Sequence, residues 1–264
     1  MEQVNSLENI ISINKDGKYV FDLNKYNQSA TFEVLKNLKV DLLLIGLNKN
    51  TNINFNISDN SFCQVKFLIE NEEKTINLQG NLQENSTFNL YFADYCKENT
   101  IVKSKINLLK NNSNTNVYFT SLAKGNNVKN YDISFNHEVG YTTSNFEGYG
   151  VAMNDSFIKI NGVSHIKENA IKSEAHQKVK CLLFDEKSRA IANPILKIDC
   201  DDIVASHACA IGSLNNDHIF YLLSRGLSLE EARRLIIMGY LLPIKDYFDE
   251  EDKNKIINYV EGDF

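Results

Sequence analysis

The segment CDDIVASHACAIGSLNNDHIFYLLSRGLSLEEARRLIIMG, which runs from Cys200 to Gly239, decides the fold of this chain. It begins where a long region of alternating apolar and polar residues ends, and its second half has the residue spacing of helices. It therefore marks the border between two parts of the chain. We predict a β core over residues 1–213, with a short lead-in over residues 1–30, and a helical C-terminal domain over residues 214–264.

Start and stop signals divide the C-terminal part into three helices. Asn216 is predicted as the N-cap of a first helix, and Gly226 follows that helix as its stop signal. Ser228 begins an S-x-x-E capping box at the start of a second helix, which Pro243 ends. A third helix is predicted over residues 249–262, with acidic residues in its first turn. If the core is a solenoid, this bundle is expected to cap its exposed end.

The first 204 residues read as many short strands. Ile53, Phe55 and Ile57 alternate with polar residues, which is typical of a strand with one apolar face. Short strands separated by turn residues are compatible with a sandwich, a barrel or a β-solenoid. Asn is frequent, and Asn side chains at equivalent turns of stacked coils can bond along the stack. An AT-rich coding bias is the alternative explanation for the Asn content, and no regular repeat is visible.

Composition excludes several classes of protein. The formal net charge of the 264 residues is −6, which argues against a protein that neutralises nucleic-acid phosphates or anionic lipids. The chain has no run of 18 uncharged apolar residues and no signal-peptide pattern at its start, so a soluble cytoplasmic protein without a membrane partner is expected. Its five cysteines are an odd number without the spacing of a disulfide framework, which favours reduced thiols.

Cys200, His207 and Cys209 are the candidate metal ligands. Thiolate and imidazole groups suit zinc or iron–sulfur species, although the C-x6-H-x-C spacing matches no zinc module. His207 and Cys209 share a face if the chain there is extended, and Cys200 shares a face with Asp202 and Val204 if residues 195–204 form a strand. The alternatives are a buried structural cysteine at position 200 and a histidine at position 207 that is hydrogen-bonded only for structure.

The same region carries a family resemblance. The Asp201–Asp202 pair, the Ser206–His207 dipeptide and the run IFYLLSRGLSLEEARRLIIMG from Ile219 to Gly239 resemble the C-terminal signature of the SufB/SufD family, on its SufD-like side. These proteins are scaffolds of the SUF iron–sulfur cluster assembly system. The resemblance implies a mainly β fold, a right-handed parallel β-helix (β-solenoid) core with a small C-terminal α-helical domain.

The resemblance also implies partners and a site. It implies a SufB-like subunit as pairing partner, a SufC ABC-type ATPase docked on the C-terminal helices, and a transient iron–sulfur cluster formed at the subunit interface beside His207. Flavin is not indicated by the sequence, and a homodimer is an alternative for the isolated chain. The residues of the second helix expected to bind SufC are Leu229, Ala232, Leu235, Ile236, Gly239 and Tyr240.

The chain departs from the family pattern at the thiols. Ala205 stands where the family motif commonly has Cys, and Cys209 is an additional thiol four residues later. The catalytic cysteine of SufB-type proteins is not matched, although Cys181 lies a few residues from its place. A P-loop, G-x-S-x-G and H-E-x-x-H are absent, so no stand-alone turnover is expected.

Three other functions stay open from the sequence. They are a homomeric SUF-type scaffold, a metal-binding or purely structural β-solenoid, and a β-helix carbohydrate-active enzyme. The enzyme is disfavoured because Arg occurs only at positions 189, 225, 233 and 234, outside the middle of the predicted core.

Overall fold

The computed structural model describes residues 9–262, which form two stacked parallel β-sheets followed by helices. The first sheet consists, in spatial order, of β1 (Ile10–Ile13), β3 (Ser29–Val34), β5 (Asn50–Ile57), β7 (Lys74–Leu82), β9 (Thr100–Leu108), β11 (Val128–His137), β13 (Phe157–Ile166) and β15 (Arg189–Ile198). The second consists of β2 (Gly17–Asp22), β4 (Lys39–Ile45), β6 (Phe62–Ile69), β8 (Thr87–Asp94), β10 (Asn114–Ala123), β12 (Thr143–Ala152), β14 (Glu174–Leu183) and β16 (Val204–Ser213). Consecutive strands alternate between the sheets, which makes a β-solenoid and confirms the predicted fold.

The helical part follows the predicted punctuation closely. It consists of α1 (Asn216–Ser224), α2 (Leu229–Leu241), a 3-10 helix (Leu242–Tyr247) and α3 (Glu250–Gly262), and a further 3-10 helix (Leu23–Tyr26) lies near the start of the solenoid. The cap of α1 is Asn215, one residue before the predicted Asn216. Ser228 and Glu231 form the predicted capping box. Between residues 9 and 262, no helix is both long and apolar enough to cross a membrane.

Apolar side chains fill the space between the two sheets. Alternate residues of each strand point inward, as in β5, where Ile53, Phe55 and Ile57 are buried. Phenylalanines of successive coils stack, with the ring centroids of Phe55 lying 5.2 Å from those of both Phe32 and Phe88. Because neighbouring coils are in register, each inward side chain packs on its equivalent in the coil above and the coil below.

One turn recurs in every coil where the chain passes from the first sheet to the second. A residue with left-handed backbone conformation (φ between 54° and 62°) occupies the same place each time, and Asn tolerates that conformation well. We call this set the turn column. The intervals between its successive members are 23, 25, 27, 29 and 31 residues, so the coils lengthen along the chain. Its members are Asn37, Asn60, Asn85, Asn112, Tyr141 and Lys172.

Asn side chains bond along the stack, as the sequence suggested. In the turn column, Asn85 Nδ2 donates to Asn60 Oδ1 and Asn112 Nδ2 donates to Asn85 Oδ1, both at 3.0 Å. A second ladder runs over the outer face of the first sheet, where Asn107 and Asn136 continue it toward the C-terminal coils. These amides satisfy one another in every coil, which is a structural reason for the Asn content of the chain.

A buried ionic group interrupts the apolar interior. Lys129 is fully buried, and its Nζ atom donates to Asp94 Oδ1 at 3.0 Å, to the Cys96 carbonyl oxygen at 2.7 Å and to Thr100 Oγ1 at 3.0 Å. The Tyr131 hydroxyl donates to Asp94 Oδ2 at 2.6 Å. Burial, followed by the charge of Asp94, raises the pKa of Tyr131 well above its usual value, so this phenol stays protonated.

The helices cover the flank of the solenoid and leave its C-terminal end open, which corrects the expectation that they cap the end. Ile237, Leu241 and Ile244 pack against outward side chains of β8, β10 and β12, including Tyr91 and Val151. Far from that end, Lys18 Nζ lies 3.1 Å from Asp249 Oδ1, next to the start of α3. The helical part therefore folds back along the second sheet.

Candidate functional site

The C-terminal end of the solenoid has two free strand edges among the described residues. β15 and β16 are the last strands of their sheets. Val204 donates its backbone N–H to Ser173 on the inner side, so the strand alternation turns the N–H groups of Ala205, His207, Cys209 and Ile211 toward the free edge. On β15 the same reasoning places Pro194 at the free edge, where its missing N–H breaks no bond within the sheet.

His207 and Cys209 lie together at this open end. β16 is extended throughout, so the two side chains share the face that also carries Gln177 and Val179 of β14, the inner face of the solenoid. His207 Nδ1 lies 3.2 Å from the Pro194 carbonyl oxygen, and Cys209 Sγ lies 3.6 Å from that of Ala192. A carbonyl oxygen only accepts, so in the neutral imidazole the proton sits on Nδ1 and the Nε2 lone pair is available as a ligand.

The Cys209 side chain is exposed but lies against β15, and this partial burial raises the pKa of its thiol above the usual value. The thiol is therefore protonated at neutral pH until a metal ion displaces the proton. An imidazole nitrogen and a thiolate are suitable donors for iron. However, residues 9–262 contain no arrangement of three or more His, Cys, Asp or Glu side chains that could hold a metal ion. The chain thus offers two donors of an incomplete set.

Cys200 is not part of this pair. β15 ends at Ile198 and β16 begins at Val204, so the segment around Cys200 is a turn and not the strand on which its facing was predicted. Its side chain packs near Ile166, Ala170 and Ala175. Burial first, and then the neighbouring carboxylates of Asp201, Asp202 and Asp199, raise the pKa of its thiol, which disfavours the thiolate. The structure supports the alternative of a structural cysteine there.

Cys181 lies one coil deeper, opposite Ile211 in β16. It is buried, and burial followed by the proximity of Cys209 raises the pKa of its thiol to about 12. A thiol with this environment is a poor nucleophile and a poor metal ligand at neutral pH.

A second histidine lies on the outer side of the same strands. His176 Nδ1 lies 2.7 Å from Ser206 Oγ, and a groove of about 610 Å³ runs past both residues to His207 and Lys178. The sequence reading gave His176 no role, because its partner Ser206 lies 30 residues away and only the strand register joins them. The Pro194 contact was missed as well, although a proline inside a strand pattern is a signal for a free edge.

The predicted partner-binding residues of α2 face in different directions. Ala232 is fully buried and has no surface to offer, whereas Leu229 and Leu235 are 48% and 49% exposed. Ile236 and Tyr240 pack partly against the flank of the solenoid, and Gly239 is exposed. The exposed apolar residues of α2 continue onto α1, where Phe220, Tyr221 and Leu223 are exposed.

Comparison with known proteins identifies relatives of this chain. The model of the family described as "SUF system FeS cluster assembly, SufBD core domain" matches residues 28–240. The iron-sulfur cluster assembly protein SufD of Bacillus subtilis is 38% identical over 120 residues, which cover 44% of this chain and 28% of that protein. An iron-sulfur cluster assembly SufBD family protein of Mycobacterium leprae is 30% identical over 108 residues, covering 41% of this chain and 12% of that protein. The matched segments thus span less than a third of these relatives.

Proposed function

Because this chain belongs to the SufBD core family of the SUF iron–sulfur cluster assembly system, we propose that it is a SufD-like, cytoplasmic scaffold subunit of an assembly complex. It pairs with a SufB-like subunit, holds part of a nascent cluster and docks a SufC-type ATPase. The observation that carries the proposal is the open solenoid end, where His207 and Cys209 lie between two free strand edges.

Pairing is proposed because the open end is incomplete in two respects. A free strand edge presents unpaired backbone groups to which another strand can add. The apolar side chains of Ile191, Ile195, Val204 and Ile211 are also exposed there, with between 41% and 56% of their surface accessible. A partner that adds a strand to β16 brings its own side chains next to His207.

The nascent cluster is the cargo of this interface. His207 Nε2 and Cys209 Sγ supply nitrogen and sulfur donors, and the SufB-like subunit supplies the remainder. The Pro194 carbonyl oxygen fixes the imidazole tautomer, as a neighbour outside the ligand shell does for metal-binding histidines. Cys209 compensates for the family thiol that is replaced by Ala205, since both residues face the interior.

The ATPase surface consists of the exposed apolar residues of α1 and α2. It contains Phe220, Leu223, Leu229 and Leu235 and excludes the buried Ala232. Since the same helices are packed on the solenoid flank through Ile237 and Leu241, a force applied by the ATPase acts on the second sheet, which includes β16.

Anaerobic cluster reconstitution tests the cluster proposal. Iron and sulfide are measured on the isolated chain and on the complex co-expressed with its SufB-type and SufC-type partners, with and without His207→Ala. The complex is expected to assemble a cluster and to lose most of it with His207→Ala, without a change in thermal midpoint. Stable iron and sulfide on the isolated chain would contradict the pairing proposal and favour a homomeric scaffold. Unchanged assembly with His207→Ala would remove this histidine from the site.

Pairing through the free edge is tested separately with Ile211→Pro. The N–H of Ile211 faces away from β14, so its loss leaves the hydrogen bonds within the sheet intact and blocks one bond to an added strand. We expect a folded chain that no longer co-purifies with the SufB-type subunit. Leu235→Ser is the matched variant for the ATPase surface and is expected to weaken SufC binding alone.

A further inference from the structure

We propose that a corner of the solenoid below the open end is a second contact surface for the same SufB-like subunit, which reaches it with an apolar segment. The corner consists of Tyr141, Ile171 and Val204, and we call it the Tyr141 corner. The proposal rests on the proposed pairing and adds a contact that free strand edges alone would not require.

Backbone strain at Tyr141 singles out this corner. Tyr141 is a member of the turn column with φ of 58°, a conformation that is uncommon for bulky residues and easy for Asn. The four preceding members of the column are all Asn. A tyrosine at this place costs stability, and such strain is typically retained where the side chain has a function.

The three apolar side chains of the corner are held outward on a rigid backbone. Tyr141 is 54% exposed, Ile171 46% and Val204 56%. The Tyr141 N–H donates to the Ile171 carbonyl oxygen at 2.9 Å, which joins the turns of two successive coils. Gly140 allows this close approach, because a Cβ atom there would lie 2.5 Å from the Ile171 oxygen. Exposed rigid aromatic residues are frequent anchors of protein interfaces.

The position of the corner identifies the occupant. Val204 is the first residue of β16, so the corner is continuous with the free edge, and Tyr141 lies two coils below it, roughly 10 Å away at the usual strand spacing. A subunit that adds a strand to β16 reaches this distance with a few further residues. Nearby charges are paired, with Lys172 Nζ 2.8 Å from Asp202 Oδ2, so the segment that fits is apolar and uncharged.

Tyr141→Asn tests this contact, because a binding role and a structural role predict different results. The thermal midpoint of the isolated chain and its affinity for a SufB-type subunit co-expressed from the same genome are measured. We expect the midpoint to rise, since Asn relieves the backbone strain, and the affinity to fall about tenfold, as for loss of an aromatic anchor. Ile171→Asn should weaken the affinity in the same direction.

Lys172→Asn is the matched control. It relieves the same left-handed strain one coil nearer the open end without removing apolar surface, so the midpoint should rise and the affinity should stay unchanged. If Tyr141→Asn leaves the affinity unchanged while Ile211→Pro lowers it, the corner has no role and the pairing proposal stands. If all these variants bind normally, both proposals are wrong. If Tyr141→Asn dissociates only a homodimer of the isolated chain, the occupant is a second copy and the inference is wrong.

Discussion

Single residues inside the solenoid carry polar chemistry that the alternating pattern does not reveal. Lys129 and His137 both occupy inward positions of β11 that the strand pattern assigns to apolar residues. Each is tolerated because its polar atoms have partners brought in by neighbouring coils. Their effects on stability therefore differ from those of surface residues of the same type.

Lys129→Met is expected to destabilise the protein strongly. The variant leaves Asp94 as a buried charge without its cation, and breaking a buried ion pair in this way costs about 3–5 kcal/mol. Urea denaturation followed by circular dichroism measures the change. The double variant Lys129→Met with Asp94→Asn should recover part of the loss, because the unpaired charge is gone. An equal loss in both variants would show that packing dominates.

His137 should make the protein less stable in mild acid. Its Nδ1 and Nε2 atoms lie 2.7 and 2.8 Å from the hydroxyls of Thr142 and Ser144, and burial lowers its pKa from 6.5 to about 4. Above pH 6.5 neither state binds a proton. Between pH 6.5 and 4 only the unfolded state binds one, so the free energy of unfolding falls as pH falls, by about 3 kcal/mol in total.

Urea titrations at pH 7 and pH 4.5 measure this dependence. His137→Gln removes the titrating group and should flatten the stability profile between the two pH values. His218→Gln is the control, since His218 is exposed and its replacement should leave the slope unchanged. A slope that persists in His137→Gln would assign the pH dependence to other groups.

The candidate site could be predicted in part from single residues. His207 and Cys209 were expected on one face, and the extended β16 places them there. Cys200 was misplaced because the strand pattern before it ends at Ile198, and the Asp-rich segment that follows is a turn. The carbonyl groups of Pro194 and Ala192 could not be predicted, because backbone acceptors leave no mark in a sequence.

Among the elements, strands and helices were predictable and their stacking was not. Alternation located the strands, and caps located the helices to within a residue, as Asn215 and Ser228 show. The turn column was invisible because its intervals grow by two residues per coil, so no fixed period exists. An increment of two preserves the inward and outward alternation of side chains, which is why the coils can lengthen without loss of register.

The capping box of α2 is the element for which a local change has a clear effect. Ser228 Oγ accepts from the Glu231 N–H at 3.2 Å, and Glu231 Oε2 accepts from the Ser228 N–H at 2.7 Å. These bonds lower the pKa of Glu231. Ser228→Ala should cost about 1 kcal/mol, and hydrogen exchange should report faster opening of α2. Ser224→Ala, which removes a hydroxyl at the end of α1, should leave exchange in α2 unchanged.

In the whole molecule, the helices are part of the packing and not an appended module. Their residues Ile237, Leu241, Ile256 and Val260 are fully buried, and they pack on outward apolar residues of the second sheet such as Tyr95. The apolar strip on the flank is thus a second core, and it was not predicted because the outward positions of a strand are usually polar.

Deletion of residues 216–264 should therefore unfold or aggregate the chain. Removal of the helices exposes a contiguous apolar flank, which is expected to bind a hydrophobic dye and to promote association. Light scattering and dye fluorescence measure both effects. For the same reason Leu235→Ser is a better probe of ATPase binding than a truncation. A monomeric, folded truncation would show that the flank contributes little.

The lengthening coils give the molecule the shape of a wedge. Near the start of the chain a coil takes 23 residues and near the open end it takes 31, and strands grow from 6 residues in β3 to 10 in β13. Identical copies cannot join narrow end to broad end with all their strands matched, so growth into a fibre is disfavoured by geometry alone. A broad end is matched only by another broad end, and such an assembly is closed after two members.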